Sequence, residues 1–273
     1  MHSNPTCQGS VPVTGSAHAD RDRPRRALVT GAGGGIGRAA AVRLAAEGAS
    51  VALLDVREEE LRVTAAQVRE AGADALELPT DVGDEAQVAA ALAEVSARWG
   101  GLDAAVAAAG IAMSITGDAR VDRLELSVWD RILRANLTGM FLTCKHVARA
   151  MIESGGGSIV VIGSPTGLYG FAFGEHAYSA SKGGCHALAR VMAGELAPLG
   201  IRVNIVVPGF IDTRMNDHVL ADAKMLEEAE GLIPLARVGQ PSEVAGLIAW
   251  LTSPDASYAT GGYYPVDGGQ MCL

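Results

Sequence analysis

Ala27-Leu28-Val29-Thr30-Gly31-Ala32-Gly33-Gly34-Gly35-Ile36-Gly37 is a strand-forming run that passes straight into a glycine turn, and the alanine-rich stretch behind it favours helix. Such a turn lets the backbone approach a phosphate, because no Cβ stands in the way. The helix start presents unpaired N–H groups and a partial positive charge to the same anion. Strand, glycine turn and helix together point to a dinucleotide pyrophosphate, with Gly31, Gly35, Ile36 and Gly37 nearest to it. Without its flanks the run reads equally well as a structural turn.

Outward from it, short apolar or β-branched runs recur at Val51–Asp55, Ala75–Leu78, Leu102–Ala107, Ser158–Ile162, Arg202–Val207 and near Tyr263–Val266. Longer amphipathic segments separate the first runs, for example Arg57–Ala71 and Ala86–Trp99. The alternation predicts an α/β fold: a doubly wound, Rossmann-like parallel sheet of about seven strands with helices on both faces and right-handed crossovers. Hydrophobic residues make up 49% of the chain but aromatics only 4%, so the core must be built from Ala, Val, Leu and Ile. Residues 26–273 contain no linker and read as one domain. Residues 1–25, rich in Pro, Ser, Gly and mixed charge, read as a disordered N-terminal extension. The extension has no apolar stretch for a secretory signal, and Asp20 and Asp22 interrupt its arginines.

Charge and cysteines narrow the partners. Lys and Arg number 22 against 31 Asp and Glu, a net charge of −9 that sets aside nucleic acid and anionic membranes. The longest uncharged apolar run, Ala104–Met113, is too short to span a bilayer. Cys7, Cys144, Cys185 and Cys272 lack metal or CxxC spacing and read as reduced thiols of a cytoplasmic protein. The histidines form no ligand cluster with carboxylates, so no metal is expected.

Asp55 ends the second strand. A carboxylate there accepts both ribose hydroxyls of an adenosine and repels a 2′-phosphate, which favours NAD over NADP. Arg38 and Arg57 lie close enough in sequence to contact a phosphate, and Asp55 reads alternatively as a helix N-cap. Asp81-Val82 follows the third strand, where Asp81 would accept from the adenine amino group or cap the next helix. Ala107-Ala108-Ala109-Gly110 ends the fourth strand with residues small enough for a cofactor, or a packed helix, to lie against them.

Tyr178-Ser179-Ala180-Ser181-Lys182 sets a phenol and an ammonium one helical turn apart on one face. An ammonium near a phenol stabilises the phenolate, which then serves as base toward an alcohol or, protonated, as acid toward a carbonyl. Ser164 follows the fifth strand, at the carboxyl edge where open α/β sheets bind ligands. Asn136 is expected mid-helix, where asparagine is unfavourable and so calls for a use. Pro208-Gly209-Phe210-Ile211-Asp212-Thr213 follows the sixth strand and should close over the nicotinamide.

With these motifs in this order, over about residues 26–270, the chain resembles the compact, single-domain short-chain dehydrogenases/reductases. The resemblance implies an oxidoreductase that interconverts a secondary alcohol and its ketone by hydride transfer, with Tyr178 as acid/base. It implies that Ser164 orients the substrate oxygen and that Lys182 binds the nicotinamide ribose. Asn136 would hold a water in a proton relay from Lys182, and Thr213 and the Ile211 backbone would bind the carboxamide. Asp81, Val82, Ala108, Ala109, Gly110, Pro208 and Gly209 complete the implied cofactor contacts, and the implied assembly is a homotetramer, with a dimer as the alternative.

Three departures from the family pattern stand out. Asn-Asn-Ala-Gly is replaced by Ala107-Ala108-Ala109-Gly110, so two amides need substitutes. Ser164 is flanked by Gly163 and Pro165, and Ile111–Leu126 is a few residues longer than the family pattern. Substrate choice should reside in Ile111–Leu126, Pro165–Ala177 and Arg214–Val238. Tyr169, Phe171 and Phe173 suggest an apolar pocket wall, His176 either binds substrate or faces solvent, and residues 214–238 read as an amphipathic lid. The competing readings are an NADPH-dependent ketoreductase resembling 3-oxoacyl carrier-protein reductases, and a non-catalytic dinucleotide sensor.

Overall fold

The computed structural model describes residues 23–112, 117–170 and 175–272. Seven strands, β1 (Arg26–Thr30), β2 (Ser50–Asp55), β3 (Ala75–Pro79), β4 (Ala104–Ala107), β5 (Gly157–Ile162), β6 (Ile201–Pro208) and β7 (Tyr263–Val266), form one sheet in the order β3-β2-β1-β4-β5-β6-β7. Every neighbouring pair is parallel. The helices are α1 (Gly35–Ala46), α2 (Glu58–Glu70), α3 (Glu85–Trp99), α4 (Leu126–Leu133), α5 (Gly139–Glu153), α6 (His176–Leu196), α7 (Asp217–Leu220), α8 (Ala223–Gly231) and α9 (Pro241–Thr252).

The sheet is apolar on both faces because both are covered. Successive strand residues alternate between two cores: Leu28, Ile159 and Val161 pack with α3, α5 and α6, while Ala27, Val29 and Val160 pack with α1, α2 and α9. Among the described residues the two core clusters are built from Ala, Val, Leu and Ile, with Met140, Met151, Cys144 and Cys185, the core the composition requires.

The chain winds from β1 outward through β2 to β3, then crosses to the other side of β1 for β4. The carboxyl ends of β1 and β4 therefore flank the point where the winding reverses, and a crevice opens there. The strands match the expected runs within two residues. Leu102 falls just before β4, at a bend where Asp103 is taken up by Arg26. Arg23 and Arg25, placed in the extension by the sequence reading, are tied to Asp103 and to Glu47 and the Thr252 carbonyl. Residues 1–22 lie outside the described residues. No described helix is long and apolar enough to cross a membrane.

Candidate active site

The glycine turn is packed tightly enough to require glycine at positions 31 and 37. A Cβ on Gly37 would stand 2.2 Å from the Gly31 carbonyl oxygen, and one on Gly31 would meet the Ala108 and Ala109 backbone at 2.9 Å. Gly31 also has φ +68°, which favours glycine. Behind the turn, α1 begins with no side-chain cap and no acidic residue in its first turn. Its N–H groups and partial positive charge are thus left for an anion, so the residues present fit a pyrophosphate. Thr213 reaches the same turn, since a Cβ on Gly35 would lie 3.1 Å from its Cγ2. Ile36 packs into the α1 side of the sheet.

The missing amides of the β4 end have a substitute. Thr30 Oγ1 accepts from the N–H of Ala108 and of Ala109, both at 3.1 Å, so a β1 hydroxyl braces the β4 terminus that the turn leans on. Gly110 follows, where a Cβ would stand 3.2 Å from Asn136 Oδ1 and 3.8 Å from Lys182 Nζ.

Asp55 is 8% exposed at the end of β2. Its Oδ2 accepts from Gly33 N–H at 3.0 Å, and its Oδ1 from Arg57 N–H at 3.0 Å and Arg57 Nε at 3.1 Å. The N-cap of α2 is Arg57, not Asp55. Asp55 raises the Arg57 pKa by hydrogen bond and charge, against a smaller loss from burial. Arg38 is engaged by Glu60, Thr64 Oγ1 and the Gly33 carbonyl. Asp81 pairs with Arg134 at 2.8 Å and accepts from Gly83 N–H, while Asp84 caps α3 by accepting from Ala86 and Gln87. The capping alternative for Asp81 is therefore corrected, because the helix starts three residues later than that reading needs. Val82 is buried against Gly139, where a Cβ would lie 2.5 Å from its Cγ2.

Asn136 does not sit in an α-helix. Residues Arg134–Thr138 form a π-helical turn between α4 and α5, and a wider turn of this kind recurs at functional sites. Asn136 is 1% exposed. Its Oδ1 accepts from Ile111 N–H at 2.8 Å, and its Nδ2 donates to the Ile111 carbonyl and to Ser181 Oγ. The amide is thereby spent on clamping the segment after β4 to α6, and the Asn136 carbonyl takes the Cys185 thiol at 3.4 Å.

On α6, Lys182 is buried, donates to the Ile162 carbonyl at 2.9 Å, and stands 5.6 Å from the Tyr178 ring centre. The Tyr178 phenol makes no hydrogen bond to a described residue. Ser164, also buried, shares a 3.0 Å hydrogen bond with Thr166 Oγ1 and accepts from Thr166 N–H. Asn136 and Lys182 thus stand beside Gly110, with the Tyr178 ring next to Lys182 and Ser164 just after the end of β5 on which Lys182 is anchored. A buried lysine, a free phenol and an adjacent hydroxyl can together polarise a carbinol or carbonyl oxygen and move its proton.

The model of the family described as enoyl-(acyl carrier protein) reductase matches residues 31–271. A cis-4-hydroxycyclohexanecarboxylate dehydrogenase of Sinomonas cyclohexanicum is 42% identical over 249 residues, covering 91% of this chain and 97% of that protein. The chain belongs to the short-chain dehydrogenase/reductase family. A cyclohexanol dehydrogenase of Rhodococcus sp. (strain TK6) is 36% identical, covering 90% of this chain and 96% of that protein. Among solved structures, a gluconate 5-dehydrogenase from Burkholderia cenocepacia J2315 in complex with NADP and tartrate superposes with TM-score 0.85 at 34% identity, covering 92% of this chain and 96% of that one. As a short-chain dehydrogenase/reductase, the protein is an oxidoreductase acting on CH–OH groups with a nicotinamide dinucleotide, NAD or NADP.

In this short-chain dehydrogenase/reductase the loop after β6 is held from two sides. Gly209 donates to the Val266 carbonyl and lies so close to Asp267 that a Cβ would meet it at 2.7 Å. Ile211 is buried, its carbonyl takes Asn216 Nδ2, and its backbone bridges to Gly239. No residue of the helices α7 and α8 is buried. Of the expected apolar wall, Tyr169 is exposed, while Phe171 and Phe173 lie outside the described residues. His176 opens α6, and its Nδ1 contacts the Ala119 carbonyl at 2.9 Å.

Two residues near the site escaped the sequence reading. Asp118 is 7% exposed and accepts from the N–H of Ala177 and of Tyr178, so it caps α6 from 60 residues away. Burial and the Asp118 charge raise the pKa of the adjacent Glu175. His186 lies beneath Ser164; its only sequence signal was an eight-residue offset from Tyr178 on one helix.

Proposed function

We propose that this enzyme oxidises a hydrophobic secondary alcohol, or reduces the matching ketone, with NAD(H). The observation that carries the NAD reading is the Asp55 carboxylate at the end of β2, anchored to Gly33 N–H where the ribose of an adenosine would lie. When bound, the nicotinamide supplies the hydride acceptor or donor. Ser164 Oγ holds the substrate oxygen, and Tyr178 removes its proton on oxidation and returns it on reduction. Lys182 binds the ribose. With its side-chain amide occupied, Asn136 keeps a relay water within reach of Lys182 through the second lone pair of its main-chain carbonyl. The Thr213 side chain and the Ile211 backbone hold the carboxamide, and residues 214–238 cover the substrate. The fold from residue 26 works as one domain. The exposed Phe141 on α5 and Val191 on α6 suit helix-pair contacts in a homotetramer, and the reduced cysteines suit the cytoplasm. Arg57, lying over the glycine turn, favours a second reading: use of NADP(H), as in the Burkholderia complex.

The test is steady-state turnover of cyclohexanol, the ring alcohol acted on by one relative, with NAD and with NADP. The expected result is a preference for NAD of more than about tenfold. Tyr178→Phe is expected to lower kcat by about a hundred- to ten-thousandfold while NADH binding persists. A tenfold preference for NADP refutes the cofactor assignment, and unchanged turnover by Tyr178→Phe refutes the mechanism.

A further inference from the structure

Tyr178, Lys182 and His186 stand at successive turns of α6, on one stripe of the helix. The first two reach the reacting centre, whereas His186 turns inward and is 2% exposed. Its Nε2 is the acceptor for the Ser164 N–H at 3.3 Å. Its ring meets the Tyr263 ring edge-on at 5.3 Å between centres, so the imidazole is wedged between the Ser164 loop and β7. Two glycines make the space. A Cβ on Gly163 would stand 2.2 Å from His186 Nε2, and one on Gly167 would stand 2.9 Å from Cε1. Gly163 is one of the departures from the family pattern, and here the departure and the histidine fit each other.

An acceptor Nε2 requires the ring proton on Nδ1. That Nδ1 is buried and closes no hydrogen bond of full geometry among the described residues. Burial and the Lys182 charge push the His186 pKa down to about 4, against a smaller upward pull from the Gly167 backbone. The ring therefore stays neutral under working conditions and keeps its lone pair aimed at Ser164. The Gly167 backbone pulls on the ring, but the buried Nδ1 lacks a full hydrogen bond among the described residues, a cost set against satisfying the Ser164 N–H.

We infer that His186 is a positioning residue: its imidazole anchors the Ser164 backbone and thereby aims the Ser164 hydroxyl at the substrate oxygen. The inference rests on the proposed role of Ser164. The first test needs no substrate. Heteronuclear NMR of the ring nitrogens at about pH 7 is expected to show His186 with its proton on Nδ1 and a bare Nε2; a proton on Nε2 overturns the inference. The second test is cyclohexanol turnover. His186→Leu is expected to lower kcat about tenfold or more, with KM for the cofactor and NADH affinity unchanged. Glutamine can set its Oε1 near the position of Nε2, so His186→Gln is expected to recover most of the rate, while His186→Asn, which mimics Nδ1, is not. The double variant Ser164→Ala/His186→Leu should be no slower than Ser164→Ala alone, because His186 acts only through Ser164. Multiplying losses, or wild-type kcat in His186→Leu, overturns the inference. Should His186→Leu not fold, equal rates for the Gln and Asn variants do so instead. An unchanged kcat in Ser164→Ala refutes the Ser164 role itself, a separate outcome.

Discussion

Asp55→Asn should reverse the preference between the two nicotinamide cofactors. Asp55 has three hydrogen-bond partners in the structure, Gly33 N–H and the Arg57 backbone and guanidinium. Asparagine keeps an oxygen for Gly33 N–H, so the glycine turn survives, whereas alanine would lose that anchor as well. What disappears is the charge. A carboxylate and a phosphate charge about 4 Å apart repel by about 4 kcal/mol at the partly wet edge of a protein. Arg57, whose side chain is 41% exposed, and the surrounding water remove about half, leaving about 2 kcal/mol against a 2′-phosphate. On the NAD side, a charged acceptor lost from the ribose costs about 1.5–3 kcal/mol. The two effects together amount to a swing of about a thousandfold in the ratio of kcat/KM for NADH and NADPH. The Arg57 guanidinium, no longer paired, adds attraction for the phosphate. The assay is kcat/KM with both reduced cofactors for wild type, Asp55→Asn and Asp55→Asn/Arg57→Leu. A ratio that moves less than about fivefold, or a double variant that favours NADPH as strongly as the single one, refutes the electrostatic argument.

Gly37→Ala forces a Cβ to within 2.2 Å of the Gly31 carbonyl, so the turn must open, and NADH-induced thermal stabilisation should be lost; an intact shift would show that the turn is looser than its geometry. Asp103 bridges Arg23 and the buried Arg26, which hold its pKa well below the usual carboxylate range despite the opposing effect of burial. Its stabilising contribution is therefore present above about pH 4 and lost as pH falls through the lower folded value. Urea unfolding should find Asp103→Asn less stable by about 3 kcal/mol at neutral pH, with the gap closing in acid; a gap independent of pH contradicts the ion-pair account. Asp118→Ala removes the acceptor for two N–H groups at the start of α6 and should cost about 1–2 kcal/mol in the same assay, most of it restored in Asp118→Asn.

Much of this architecture is legible in sequence because parallel strands covered on both faces must be short apolar runs, and helices between them must be amphipathic. The β1 run, the glycine turn and Asp55 are local patterns, so their places follow from chain order. Asn136 stands out in sequence as an awkward residue for a helix, but a π-helical turn leaves no periodicity that a single sequence reveals. Asp118 was invisible for a different reason. It caps a helix 60 residues away, and nothing local to either segment records the contact. Thr30 likewise looks like the last residue of a strand until β4 is laid beside β1, and only then does its hydroxyl meet the Ala108 and Ala109 N–H groups. His186 needed both surprises at once: a neighbour from another strand, and the glycine that makes room for it.

The bridge between Ile211 and Gly239 brings the two ends of the segment bearing α7 and α8 together, with the Asp212 N–H on the Gly239 carbonyl and the Gly239 N–H on the Phe210 carbonyl. Neither helix lends a buried side chain to the body. The segment is thus an insert on a closed neck, tied to the body by Thr213 at the glycine turn and by the buried Ile233, and the sequence of its two helices can drift, or be exchanged by design, at little expense to the sheet beneath. If these helices cover the substrate as proposed, a new substrate range is expected from exchanging them alone, with Tyr178, Thr213 and the glycine turn kept.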